Sequence, residues 1–283
     1  MEKTLKDIRF EITGALDNAG FENPIDEARW LLAYVLGKEA SYITLNLEEI
    51  FPQDLALKLE ETLRRRLAHE PLSRIRGCRE FWSLEFDLNH ETLDPRPDSE
   101  ILVETVLGLL QHKSNPYKIL DLGTGTGCLL ISLLKELPNA FGVGMDCSLS
   151  AINMARHNAK KLGTEGRASF FQGSWSAALS GYFDIIISNP PYIPYRDKET
   201  LSEEVSKYDP CRALYGGEDG YDCYRALAQD LFRIVSKQGF IALELGMGQR
   251  YEVQCIFQGL GYHVLDVKKD LQGIERVILF SVA

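Results

Sequence analysis

The chain has 283 residues, 45% of them hydrophobic and 25% charged, with a formal net charge of −10; this excludes a disordered or fibrous protein and leaves room for one large domain or two ordinary ones. No apolar run approaches the roughly 20 residues that span a bilayer, and MEKTLKDIRFEITG carries no apolar stretch behind its charges, so a cytoplasmic location without a membrane partner is expected. The acidic balance disfavours stable binding to a phosphate backbone, so no nucleic-acid partner is expected, and a basic protein or cationic ligand fits better.

The first seventy residues read as helices. Thr4 caps the first, with Leu5, Ile8, Ile12 and Leu16 on one face and Gly20 as its stop. Asn23 caps the second, with Pro24 in the first turn and Gly37 at the end. A third places Leu55, Leu59, Leu63 and Leu67 as the buried stripe and ends at Pro71, with Arg64-Arg65-Arg66 as its solvated face or, as the alternative, a local basic patch. Between Pro71 and Pro97, REFWSLEFDLN alternates Phe81, Leu84, Phe86 and Leu88 with polar residues, a short hairpin pattern. The expected division is therefore 1–72 helical, 73–96 a hairpin bridge, and 97–283 a second domain. That domain opens on a helix with Pro97 in its first turn and Leu102, Val106, Leu109 and Leu110 on the buried side.

From Tyr117 onward apolar strands alternate with helices, the α/β pattern of a parallel sheet covered on both faces. Strands are expected over 118–122, 140–145, 168–172, 183–188, 240–245, 262–266 and 277–282, and helices over 129–137, 149–162, 221–235 and 249–259. Six scattered cysteines (Cys78, Cys128, Cys147, Cys211, Cys223, Cys255) form no C-x-x-C pair; reduced, mostly buried thiols and no metal site are expected.

ILDLGTGTGCLLISLL sets a glycine-rich turn between a buried strand and a helix, offering backbone N–H groups and close main-chain approach. Gly123, Gly125 and Gly127, with Thr124 and Thr126 between them, are followed by Cys128 and so depart from the G-x-G-x-x-G spacing of dinucleotide sites. Asp121 either bonds the turn's own groups or holds the loop open for a ligand. Asp146, ending the next strand in GVGMD, either caps the following helix or accepts both hydroxyls of a ribose. Together the loop and Asp146 favour an adenosine-containing ligand.

SNPPYIP follows the fourth strand, expected beside the first, where ligands collect at the carboxyl ends. Asn189-Pro190-Pro191 is by itself an ordinary strand terminator. It also permits a receptor: the Asn189 side-chain oxygen and the Pro190 carbonyl can accept the two protons of a planar NH2 group, with Tyr192 against its flat face.

DLGTGTG, Asp146 and NPPY in combination resemble class I S-adenosylmethionine-dependent methyltransferases that modify planar NH2 groups. REFWSLEFDLNHETLDPRPDSEILVE, EEVSKYDPCRALYGGEDGYDCYRAL and KDLQGIERVILF narrow the resemblance to the peptide chain release factor N5-glutamine methyltransferases, the HemK-like enzymes, from about Pro71 to the end. The resemblance implies a Rossmann-like, mostly parallel seven-stranded sheet behind a helical domain that recognises the release factor. It also implies S-adenosyl-L-methionine as cofactor, with S-adenosyl-L-homocysteine as product. Gly123 to Gly127 and Asp121 would hold that cofactor, Asp146 its ribose, Trp175 its adenine, and Asn189 would border it. Asn189, Pro190, Pro191 and Tyr192 would bind the glutamine of a Gly-Gly-Gln segment, with Asn189, Pro190 and Tyr192 carrying catalysis. Ser174 stands where the family usually has an acidic residue, PRPDSE replaces PRPETE, and RIRG replaces the usual Y-x-L-G. A monomer is expected. The competing readings are an adenine-N6 methyltransferase, which normally needs a basic surface absent here, and a nucleotide-binding module without turnover.

Overall fold

A computed structural model describes residues 2–175 and 179–282. The chain divides into two compact units, residues 1–77 and 78–283. The first holds α1 (Leu5–Asn18), α2 (Pro24–Leu36), α3 (Ala40–Leu45), α4 (Ala56–Leu67) and α5 (Leu72–Arg76). Thr4 caps α1 reciprocally: its hydroxyl accepts from Asp7 N at 3.2 Å while the Asp7 carboxylate accepts from Thr4 N at 2.9 Å. Leu5, Ile8, Ile12 and Leu16 are buried, as their spacing predicts.

Two details of this unit differ from expectation. Asn23 heads α2 but makes no side-chain cap bond. In α4 the leucines Leu55, Leu59, Leu63 and Leu67 are half-buried against the unit's core, and the fully buried positions are Thr62 and Arg66. Arg66 is thus not on a solvated face. Its guanidinium bonds the Glu27 carboxylate at 2.8 and 3.1 Å, donates to the Glu70 carbonyl and lies 4.3 Å over the Phe21 ring. Desolvating an arginine is tolerated here because three of its donors and its π face are matched.

The second unit begins with the hairpin β1 (Cys78–Phe81) and β2 (Leu84–Asp87), followed by α6 (Glu100–Leu109). The turn residues Trp82 and Ser83 both have positive φ, 53° and 55°. Such a turn usually takes Asn-Gly; here Trp82 N donates to Glu100 Oε1 at 2.8 Å and its indole N–H to Glu136 Oε1 at 3.0 Å, which hold it in place. In α6, Leu102 and Val106 are buried with Val103 and Leu107, but Leu109 is exposed.

The remaining elements are β3 (Lys118–Leu122), α7 (Cys128–Glu136), β4 (Phe141–Asp146), α8 (Leu149–Lys161), β5 (Ala168–Gln172), β6 (Phe183–Ser188), α9 (Glu203–Tyr208), α10 (Cys211–Leu214), α11 (Asp222–Asp230), β7 (Val235–Glu244), α12 (Arg250–Gln258), β8 (Tyr262–Lys269) and β9 (Glu275–Val282). The sheet runs β5-β4-β3-β6-β7-β9-β8, and β9 alone runs opposite to the other strands. This is the expected mostly parallel seven-stranded sheet, with separate apolar clusters against its two faces.

The helix expected over 221–235 ends at Asp230, and Val235 already belongs to β7. The apolar Leu231, Ile234 and Val235 keep helical spacing but are buried through a 3₁₀ turn and a strand. The thiols also differ from expectation: Cys147, Cys211 and Cys255 are exposed and the other three only half-buried. Among the described residues no helix is long and apolar enough to cross a membrane.

Candidate active site

The strand order reverses between β3 and β6, which pair in parallel from Ile119↔Ile185 to Leu122↔Ser188. Both chains leave the sheet there at their carboxyl ends, and the loops that follow must part, opening a crevice. A cavity of about 260 Å³ lies at this point, walled by Gly123–Thr126, Leu122, Met145, Asp146, Trp175, Asn189 and Pro191. The fold therefore brings the glycine loop, Asp146, Trp175 and Asn189 to one cavity.

The loop is built for close approach rather than for donating N–H groups. Gly123 N and Thr124 N both donate to Met145 O at 2.9 Å, and Gly125 N donates to Asp146 Oδ2 at 3.0 Å. These three donors, expected to face a ligand, instead tie the loop to the end of β4. Glycine is required at Gly127, whose φ is +82° and where a Cβ would stand 2.9 Å from Ile131 Cδ1. At Gly144 in β4 a Cβ would meet the Phe170 ring at 2.6 Å and Thr124 Oγ1 at 2.9 Å.

Asp121 stands behind this loop, not on the cavity wall. It is fully buried; one carboxyl oxygen accepts from Thr124 Oγ1 at 2.6 Å and the other has no hydrogen-bond partner among the described residues. Burial pushes its pKa up from 3.8 to about 7, against the opposing pull of the Thr124 bond. Asp146 is on the wall. Its two oxygens accept from Gly125 N and, at 2.9 Å, from Ser148 N, and each retains a second lone pair. Ser148 itself caps α8 through Ala151 N. Trp175, with φ +48°, closes the side of the cavity next to Gly173 and Ser174; the rest of the GSWSAAL motif, 176–178, lies outside the described residues.

NPPY sits at the opposite wall and is held rigidly. Ile193 N donates to Leu214 O, Gly216 N to Ile193 O and Gln249 Nε2 to Tyr192 O, at 2.9, 3.0 and 2.9 Å. The glycines of YGGEDG let the chain come this close: a Cβ at Gly216 would be 2.6 Å from Pro191 O, and one at Gly220 2.5 Å from Tyr192 O. Asn189 and Pro191 line the cavity, Pro190 is buried, and Tyr192 lines an adjacent groove beside Gly246–Gln249. Burial and the nearby Glu244 push the Tyr192 pKa up to about 12, so its phenol stays protonated at neutral pH.

Several site residues lie outside the glycine loop and NPPY. Ser99, at the foot of α6, is buried and accepts from Asn189 Nδ2 at 3.1 Å. Arg96 pairs with Asp209 just before α10, and Asp209 also accepts from Asp94 N. Glu91 bonds the Ser148 hydroxyl and lies 3.3 Å from Arg212, both on the cavity rim. Glu244 is buried at the end of β7, with its pKa pushed up by burial to about 7. A charged residue inside the apolar run FIALELG was the one available clue to it.

Residues 8–77 match the family described as PrmC N-terminal domain, and residues 90–206 the methyltransferase small domain. A release factor glutamine methyltransferase of Rhodospirillum rubrum is 44% identical over 261 residues, covering 92% of this chain and 80% of its own. One of Agrobacterium fabrum is 41% identical over 268 residues, covering 94% and 93%. Among solved structures, a methyltransferase from Pyrococcus furiosus shares the fold at a TM-score of 0.54 and 19% identity, over 77% of this chain and 96% of its own.

Proposed function

The chain belongs to the release factor glutamine methyltransferases, enzymes that transfer a methyl group from S-adenosylmethionine to a glutamine of a release factor, and we propose that in this chain Asn189 organises that transfer. The acceptor is the side-chain amide nitrogen, N5, of a Gly-Gly-Gln glutamine.

The residues around the cavity suit the cofactor. Asp146 keeps a free lone pair on each oxygen for two ribose hydroxyls. Leu122, Met145 and Trp175 give apolar walls for an adenine. The tight loop at Gly123–Gly127 removes side chains where the rest of the molecule must pass. When bound, S-adenosylmethionine supplies an electrophilic methyl group on a positively charged sulfur, a strong leaving group.

An amide nitrogen is a weak nucleophile because its lone pair is delocalised, so alignment is the protein's main contribution. The observation that carries the proposal is the Asn189 amide: its Nδ2 is engaged by Ser99, which leaves Oδ1 to accept one proton of the substrate NH2. The Pro190 carbonyl accepts the other. Two fixed carbonyl dipoles then hold the nitrogen in place and stabilise the positive charge that develops on it as the C–N bond forms. Among the described residues no histidine lines the cavity, and the proton leaves to water after transfer. Tyr192, anchored by Gln249, borders the approach of the substrate backbone from the adjacent groove.

Asn189→Ala is expected to lower methyl transfer to a release factor by roughly 100-fold or more, while S-adenosylhomocysteine binding, measured by titration calorimetry, changes by less than about threefold. Wild-type turnover in that variant removes Asn189 from the reaction.

A further inference from the structure

Glu244 is a buried charge that the reaction as derived above does not use. It ends β7 one residue beyond Leu243, which pairs with Ser188, so Glu244 and Asn189 are the next rungs of neighbouring strands. It is 3% exposed, and among the described residues its Oε2 has no hydrogen-bond partner. Its sequence neighbours Leu243 and Leu245 are fully buried, and an apolar residue there would avoid the cost of desolvating a carboxylate. The side chains of Ser99 and Asn189 both favour the charged form of Glu244, Ser99 the more strongly. Ser99 meanwhile accepts from Asn189 Nδ2, which leaves its own proton to be donated, and Glu244, whose charged form the Ser99 side chain favours, is available to take it.

We propose that Glu244 is a positioning residue which, through the Ser99 hydroxyl, fixes which end of the Asn189 amide faces the substrate. The inference rests on the reading of Asn189 as the receptor for the glutamine NH2. The oxygen and nitrogen ends of an amide have nearly the same shape, so hydrogen-bond partners alone choose between them. An Asn189 turned the wrong way would present donors to a substrate group that itself donates. With Glu244 ionised, the Ser99 proton points to it, Ser99 accepts from Nδ2, and Oδ1 is left for the substrate. With Glu244 protonated, the Ser99 proton is released to turn toward Asn189, and the reversed amide becomes equally acceptable.

The charges around Glu244 leave it free to titrate. Arg276 on β9 favours its charged form and Asp98 opposes it. Arg276 is shared with Asp98 at 2.7 Å and Asp270 at 2.9 Å, so it does not neutralise Glu244 alone. Tyr192, Tyr224 and Cys128 also face it, each with its own pKa raised by burial. The pKa of Glu244 is about 7, and the active form is the ionised one, so kcat rises with pH through that value. Asp121 titrates in the same range, and for that reason the comparison of variants, not the wild-type profile, is decisive.

The test measures kcat and KM for a release factor between pH 6 and pH 9, at saturating S-adenosylmethionine, for the full chain and for Glu244→Gln, Ser99→Ala, the double variant of these two, and Asn189→Ala. Thermal unfolding and S-adenosylhomocysteine affinity are measured alongside. Glu244→Gln is expected to lower kcat at pH 8 by roughly 10- to 100-fold, to leave the ligand Kd within about threefold, and to lose the acid limb near 7. Ser99→Ala should give a similar loss, and the double variant no more than either single one, because the two act through one relay. If Glu244→Gln does not fold, Ser99→Ala carries the same test of kcat and acid limb. Wild-type kcat and an unchanged acid limb in Glu244→Gln, or in Ser99→Ala if only that variant folds, overturn the relay. If Asn189→Ala is inactive while those variants behave as wild type, the relay alone fails; if Asn189→Ala turns over normally, the receptor reading fails and the relay with it.

Discussion

Asp146→Asn separates two roles that the structure gives to one carboxylate. Asp146 accepts from Gly125 N and Ser148 N, which ties the glycine loop to the start of α8, and it retains one lone pair on each oxygen for the ribose. Asparagine keeps a single acceptor oxygen, so its NH2 must face either Gly125 N–H or Ser148 N–H, and it removes the charge from any remaining ribose bond. The loop should lose about 1–3 kcal/mol of stability from the unpaired donor. Cofactor binding should lose about 2–3 kcal/mol, since hydrogen bonds to a charged acceptor are worth about 1.5–3 kcal/mol each, a rise in Kd of about 30- to 150-fold. Titration calorimetry with S-adenosylhomocysteine measures this directly. The decisive comparison uses an analogue with hydrogen in place of both ribose hydroxyls. The wild type should bind that analogue far more weakly than the natural ligand, and Asp146→Asn should distinguish the two by less than about fivefold. If the variant keeps the wild-type preference for the hydroxyls, Asp146 is only a structural tie and the ribose assignment is wrong.

Two further outcomes follow from buried charge. Asp121 has a pKa of about 7 when folded against 3.8 ordinarily; the folded chain therefore holds this proton to higher pH than the unfolded chain, so the group's contribution to stability is greatest below about 4 and is lost as pH rises to about 7. In urea unfolding, the stability difference between Asp121→Asn and the wild type should shift in favour of the variant by about 2–3 kcal/mol between pH 5 and pH 8, whatever offset comes from the altered Thr124 bond; a flat difference would show that Asp121 titrates as an ordinary carboxylate. In the helical unit, Arg66→Met should cost about 2–4 kcal/mol by stripping Glu27 and the Glu70 carbonyl of their donor, whereas Arg64→Ala, at a side chain 68% exposed, should cost less than about 0.5 kcal/mol. Native-state hydrogen exchange of the α1 and α2 amides distinguishes the two, and equal protection in both variants would contradict the burial of Arg66.

What the sequence made legible was set by local pattern. The strands of the sheet are continuous apolar runs with turn residues at their ends, so β3, β5 and β6 fall where they were expected, and the carboxyl-end rule for parallel sheets then brings Gly123–Gly127, Asp146 and Asn189 together. Where local pattern and tertiary packing diverge, the pattern misleads. Leu231, Ile234 and Val235 read as the end of a helix but are buried through a 3₁₀ turn and a strand, and a run of three arginines conceals one whose fork is matched by Glu27. The least legible part is the support behind the site. Ser99, Asn189 and Glu244 lie 90 and 55 residues apart in sequence and meet only because the sheet order sets β6 beside β7 and α6 packs against β7. No single segment records that meeting.

The measurement that bears most directly on the account is the location of the methyl group. The full chain is incubated with isotopically labelled S-adenosylmethionine and a release factor, and the digested product is sequenced by mass spectrometry. The account predicts a single added methyl on the side-chain nitrogen of the Gly-Gly-Gln glutamine, and none on a factor in which that glutamine is replaced. Label on the replaced factor at another residue, or label found only on nucleic acid present in the reaction, would contradict it.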